Sequence, residues 1–297
     1  MTFQDHCALC PRRCGALRHA GERGLCGEGA QMRVARAALH HWEEPCISGT
    51  RGSGTIFFSG CALGCVYCQN AAISQEGSGA LVSAQGLRGM MEELAAQGAH
   101  NVNLVTPSHF LPGILEVLAE PLPIPVVWNS GGYELPESVE ALRGKVHIFL
   151  PDWKYALEEP ASLYSRAPDY PEVAMKAIEA MIGIAGEPVF DGEGIMLSGV
   201  LVRHLVLPGH LSNTRSVVDA FAERFRGRAL FSLMGQYLPV GGAMGHPRIA
   251  RRLTRREYES AVDYMFAKGI EDGFVQEAGA DDVSYIPAFD LTGVLEG

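Results

Sequence analysis

From residue 55 onward, short runs of apolar and β-branched residues alternate with longer segments whose apolar positions recur every three or four residues. The first pattern predicts strands at 55–59, 102–105, 125–129, 146–150, 202–207 and 229–233. The second predicts a helix at 83–97, where Leu87, Met90, Met91 and Leu94 share one face. Further helices are expected at 112–119, 136–142, 171–186 and 213–225. Strand–helix alternation implies an α/β fold with parallel strands and helices on one or both faces. Six such units are fewer than the eight of a closed barrel. A partial (β/α)6 barrel is therefore expected, with a doubly wound flat sheet as the alternative.

The pattern weakens at both ends. A Gly/Pro-rich link at 235–247 precedes Thr254-Arg255-Arg256-Glu257, a capping box that starts a helix over 255–268. Beyond it, Phe274, Val275, Tyr285, Ile286 and Phe289 are expected to pack a tail back on the domain. Residues 1–53 are rich in Cys, Gly and Arg with little periodicity, a composition that needs a metal staple to fold. The chain thus divides into a small Cys-rich N-terminal metal-binding appendage (1–53), the barrel (54–270) and a C-terminal tail (271–297).

Composition narrows the functional classes. At 297 residues and 47% apolar content, a full core can be buried. A net charge of −10 argues against nucleic acid as a partner, because phosphate binding relies on clustered Lys and Arg. No apolar run of about 18 residues is present, so no membrane span is expected. The opening MTFQDHCALC lacks a basic-then-apolar leader, and a cytoplasmic location is expected. The Arg248, Arg251, Arg252, Arg255 and Arg256 cluster reads as a solvated face, and His40, His41 and His109 as structural or loop residues.

All eight cysteines lie between Cys7 and Cys68, at the two- and three-residue gaps of ligand sets rather than of a disulfide framework. Cys61, Cys65 and Cys68 follow a predicted strand, so their loop sits at a carboxyl end, where sites gather in α/β folds. Three thiolates leave one iron of a [4Fe–4S] cluster without a protein ligand. A structural zinc knot, completed by Cys46 or a distant His, is the alternative. Cys7, Cys10, Cys14 and Cys26 form a second set complete in itself, suited to zinc or a fully ligated cluster. Cys46 is either a core thiol or a replacement for Cys26.

C-x3-C-x2-C with an aromatic residue, Tyr67, before the last Cys resembles the radical S-adenosylmethionine (SAM) superfamily, whose partial barrel agrees with six βα units. The stretches CALCPRRCG, GERGLCGEG, GSGTIFFSGC, CVYCQN, NLVTPSHFLP, WNSGGYE, LPDWKY, RHLVLPG and SLMGQYLP narrow the resemblance. Over nearly its whole length the chain is similar to uncharacterised proteins related to pyruvate formate-lyase-activating enzyme.

The resemblance implies that Cys61, Cys65 and Cys68 hold a [4Fe–4S] cluster whose fourth iron is chelated by SAM. One electron, from a low-potential donor of flavodoxin or ferredoxin type, then yields methionine and a 5′-deoxyadenosyl radical that abstracts hydrogen. It also implies Tyr67 against the adenine, Asn129 and Ser130 at the ribose, Asp152 and Lys154 near SAM, and Arg203 at its carboxylate. Asn129 reads equally well as a turn residue before Gly131-Gly132, and Asp152 with Lys154 as a surface ion pair. The family's G-G-E-type element is replaced here by Thr106-Pro107-Ser108-His109, leaving Thr106, Ser108 or carbonyls for the SAM amino group. The expected substrate is a protein or peptide, with activation of a glycyl radical enzyme the most specific form. A radical SAM enzyme acting on a metabolite and a non-catalytic iron–sulfur or zinc protein are the competing readings.

Overall fold

The computed structural model describes residues 6–276 and 287–294. In chain order its elements are β1 (Met32–His40), α1 (Pro45–Ser48), β2 (Ser53–Phe58), α2 (Ala71–Ser74), β3 (Ala80–Val82) and α3 (Ala84–Ala96). Then come β4 (Val102–Val105), α4 (Leu111–Val117), β5 (Val126–Ser130), α5 (Pro136–Glu140), β6 (Ile148–Pro151), α6 (Glu158–Ser165) and α7 (Tyr170–Ala185). The series ends with β7 (Val189–Phe190), β8 (Met196–Leu205), α8 (Leu211–Arg224), β9 (Leu230–Met234), α9 (Arg255–Ala267) and β10 (Gly273–Val275).

One sheet runs β10-β9-β8-β6-β5-β4-β2-β1-β3, with β7 attached to β8. Along this order every pair from β2 to β10 is parallel, whereas β1 is antiparallel to both β2 and β3, and β7 is antiparallel to β8. The parallel strands follow chain order without the reversal that defines a doubly wound sheet. Right-handed crossovers then place helices α3 to α9 on the same face.

Strand alternation sorts side chains accordingly. Ile56, Leu104, Trp128, Phe149, Val202 and Phe231 join the helices in the main core, each fully buried or nearly so. Each such side chain contributes about 1.5–3 kcal/mol. The opposite face is different in kind. Its residues Val127, Ile148, Leu150 and Leu201 cluster with Cys46 and Ile47 of α1, while its carboxyl end carries Asn129, Asp152, Arg203 and Ser232 around a cavity.

The predicted elements form with shifted ends. Ser83 caps α3 by accepting from Gly86 N–H, and Thr254 with Glu257 completes the capping box of α9. β8 begins at Met196, well before residue 202. β10 adds a seventh parallel strand from the expected tail, and Phe289 packs on Phe57 with ring centroids 5.5 Å apart. Tyr285 and Ile286 lie outside the described residues.

Of residues 32–53, β1 pairs with β2, and α1 packs on the amino end of the face opposite α3 to α9. Residues 6–31 contribute no strand to the sheet. Arg33 and Arg36 interrupt the apolar run of β1, and in the fold they pair with Glu28 and Asp290. Among the described residues no helix is long and apolar enough to cross a membrane.

Candidate active site

The loop after β2 turns at Gly60 (φ +82°) and Gly64 (φ +57°), conformations that favour glycine. A Cβ on Gly60 would also meet Cys26 O at 2.7 Å. Its bends are held by Cys68 N–H to Cys65 O (3.1 Å), Val66 N–H to Tyr164 O (2.9 Å) and Gln75 Nε2 to Cys65 O (2.9 Å). Cys61, Cys65 and Cys68 consequently line one cavity of ≈470 Å³. Burial pushes the Cys65 thiol up to about 12, against the pull of Lys154, and burial also raises Cys68. Cys61 and Cys68 each disfavour charge on Cys65. Three thiols on one wall, two of them resisting ionisation, fit a cationic iron–sulfur group that compensates thiolate charge. No fourth cysteine lines this cavity among the described residues.

The strand ends opposite the loop carry a chain of charges. Lys154 Nζ donates to Asp152 Oδ2 (2.6 Å), and Arg203 Nε to Asp152 Oδ1 (3.0 Å). Arg203 Nη1 reaches Glu43 Oε2 (2.9 Å) and Nη2 reaches Asn129 Oδ1 (2.7 Å). Glu43 Oε1 accepts from Asn103 (3.1 Å) and Asn129 (3.3 Å). Desolvation opposes the Asp152 charge, but Lys154 and Arg203 hold its carboxyl below the usual range. Desolvation likewise opposes Lys154, yet Asp152 lifts its pKa above the ordinary value. For Glu43, desolvation outweighs Arg203 and the pKa rises. Glu44, also at the cavity wall, is raised by burial.

Asp152 and Lys154 thus both face the cavity, as their two-residue spacing suggested, and form one ion pair there. Arg203 lines it too, but three of its five N–H donors already have protein partners. Asn129 is spent at both ends of its amide on Glu43 and Arg203, while Ser130 Oγ accepts from Gly132 N–H (3.3 Å) and so serves the turn. Tyr67 lines the cavity with its ring near Tyr164 and Tyr237 and its hydroxyl 2.7 Å from Tyr155. Thr106 lines the cavity at φ +59°, whereas Ser108 turns away and donates to the buried Glu134. Ser108 is therefore removed from the groups available at the cavity. His109 is buried against Ser59 O (2.7 Å), with its pKa driven down to about 4 by burial.

Several residues escaped the sequence reading. Glu43 and Glu44 sit in WEEPC, inside the segment read as an appendage. Tyr170, at the start of α7, places its hydroxyl 2.8 Å from Gly131 O and 2.6 Å from Asp152 O and accepts from Lys154 N–H. It pins the two strand-end turns together. Gly132 (φ +72°) is required there, since a Cβ would lie 2.3 Å from Asp152 O. An acid pair before Pro was the only sequence signal for Glu43; Tyr170 offered none.

The N-terminal cysteines form a separate group. Cys10 and Cys26 are buried, and a Cβ on Gly24 would lie 3.3 Å from both Cys14 Sγ and Cys26 Sγ. Burial pushes Cys10 up to about 11, with Cys26, Cys7 and Cys14 adding to it. Among the described residues no three His, Cys, Asp or Glu side chains are arranged to hold a single metal ion. Cys46 is apart from both groups, a core thiol under the sheet raised to about 12 by burial. The N-terminal segment docks on the first loop: Cys61 N–H donates to Cys26 O (3.1 Å), and Arg12 donates to Ala62 O (2.9 Å) and Ser165 O (2.7 Å).

Together these features define a singly wound α/β protein with a three-thiol cavity at its strand ends. The chain belongs to the family of the uncharacterized protein MJ0674 of Methanocaldococcus jannaschii: the two are 32% identical over 267 residues, 87% of this chain and 73% of that protein. No protein-family model matches. Among solved structures, Streptococcus suis SuiB bound to precursor peptide SuiA is similar at TM-score 0.47 and 13% identity, over 74% of this chain and 47% of that one. A radical SAM methyltransferase from Sphaerobacter thermophilus gives 0.48 and 14%, over 76% and 68%.

Proposed function

We propose that this protein is a radical SAM enzyme. The observation that carries the reading is the placement of Cys61, Cys65 and Cys68, and no other cysteine, on one cavity at the carboxyl ends of parallel strands. Sequential strand order, with α3 to α9 on one face and the cavity on the other, supports an open partial barrel. When bound, a [4Fe–4S] cluster and SAM supply reductive C–S cleavage and a 5′-deoxyadenosyl radical. The chain's own residues orient and shield. Cys61, Cys65 and Cys68 hold three irons, and Tyr67, Asn129, Ser130, Asp152, Lys154 and Arg203 form the wall that receives SAM. The network from Glu43 to Lys154 fixes that wall before a ligand arrives, so little reorganisation accompanies binding. The apolar floor under α1 excludes water from a reactive site.

The substrate in this proposal is a protein or peptide, and activation of a glycyl radical enzyme is its most specific form, supported by the shared stretches such as WNSGGYE and LPDWKY. A small metabolite is the second reading, favoured by a cavity of ≈470 Å³, a size usual for small-molecule sites. A flavodoxin- or ferredoxin-type donor supplies the electron, and Cys7, Cys10, Cys14 and Cys26 bind a second [4Fe–4S] cluster or zinc. The test is anaerobic reconstitution with iron and sulfide, then dithionite and SAM, with 5′-deoxyadenosine measured. Its absence from a fully loaded protein would sink the proposal.

A further inference from the structure

A line of buried hydroxyls connects the cavity wall to one cysteine of the loop. Tyr67 OH lies 2.7 Å from Tyr155 OH, which lies 2.8 Å from Ser165 Oγ, which donates to Cys65 Sγ at 3.0 Å. Tyr155 and Ser165 are wholly enclosed, and Tyr67 is 6% exposed. The four groups are scattered over a hundred positions of sequence, and α6 brings the last hydroxyl, Ser165, to the sulfur.

Hydrogen-bond bookkeeping fixes the direction of this line. A thiolate only accepts, and a hydroxyl has one hydrogen to give. Once Cys65 is an iron ligand, Ser165 must spend its hydrogen on the sulfur. Tyr155 must then donate to Ser165, and Tyr67 to Tyr155. Reversing Ser165 leaves the buried sulfur without its donor, and reversing Tyr155 leaves its contact with Ser165 without a hydrogen. Each donated bond also polarises the next, which strengthens the one at the sulfur.

We infer that Ser165 is a positioning residue for the Cys65 thiolate and, backed by Tyr155 and Tyr67, raises the reduction potential of the cluster at Cys61, Cys65 and Cys68. This inference rests on the cluster reading above. The physical basis is that a hydrogen bond to a ligating sulfur favours the more negative, reduced cluster. Ser165 is itself held from outside, since Arg12 donates to its carbonyl (2.7 Å) while also donating to Ala62 O inside the cysteine loop. The same arginine thus fixes both ends of the Ser165–Cys65 contact.

The experiment is an anaerobic EPR-monitored redox titration of the reconstituted holoprotein, following the signal that Cys65→Ala removes. Ser165→Ala is expected to lower the midpoint potential most, Tyr155→Phe less and Tyr67→Phe least, at unchanged iron content. A purely structural role predicts no such order. Equal potentials for wild type and Ser165→Ala, or a larger shift from Tyr67→Phe than from Ser165→Ala, overturns the inference. If Ser165→Ala fails to load iron, Tyr155→Phe decides, because it leaves Ser165 in place. A cluster that titrates in this order but yields no 5′-deoxyadenosine upholds the role of Ser165 and defeats the enzyme reading alone.

Discussion

The two cysteine groups differ in which way they face. Cys61, Cys65 and Cys68 open onto a cavity rimmed by Asp152, Lys154 and Arg203, so whatever they hold can be reached. In the N-terminal group Cys10 and Cys26 are buried, Cys14 Sγ and Cys26 Sγ both approach Gly24, and the segment's polar bonds go outward to the first loop. Cys7 lines a different cavity of ≈350 Å³. Under the proposed function, the three-thiol set is the reactive one and the N-terminal set supports its loop.

The largest expected effect tests that contrast directly. Cys65→Ala should abolish 5′-deoxyadenosine formation and the associated iron, whereas Cys10→Ala should retain part of the activity while lowering stability. Equal loss of activity in both, at equal iron content, would erase the distinction. Next in size is the cavity wall. Asp152→Asn strips Lys154 and Arg203 of a shared carboxylate and should cost about 3–5 kcal/mol in urea denaturation. The same residue has a pH signature. Its folded pKa lies below the unfolded value near 3.8, so its stabilisation is complete well above that pH and is lost as pH falls through the folded value. Asp152→Asn should therefore flatten the acid limb of the stability profile below about pH 4. The smallest effect lies away from both groups. Thr254→Ala removes the α9 cap and should cost about 1 kcal/mol by thermal or chemical unfolding, leaving metal content and activity per folded molecule as they were.

Legibility tracked the range of the interaction. Local signals were read well: Thr254 caps where the sequence placed a cap, and residues 102–105 form a strand with the bounds their apolar run suggested. The cysteine spacing located the cavity because ligand spacing is itself local. Glu43 was not legible, because its meaning depends on Arg203, which arrives only when the sheet is wound. Ser165 and Tyr155 were invisible for the same reason, their partners Cys65 and Tyr67 being far away in sequence. β1 was missed because its two arginines broke an alternation that pairing with β2 does not require. The SAM-contact roles expected of Asn129 and Arg203 meet a wall already knit together, so a ligand there must share donors rather than find them free.

The four-residue helix α1 has a kinetic meaning. With Cys46 and Ile47 wedged against Val127, Ile148 and Leu201, the amino end of the cavity is stoppered. In the proposed enzyme, a floor at that end directs the exchange of SAM and its products toward the carboxyl ends of the strands.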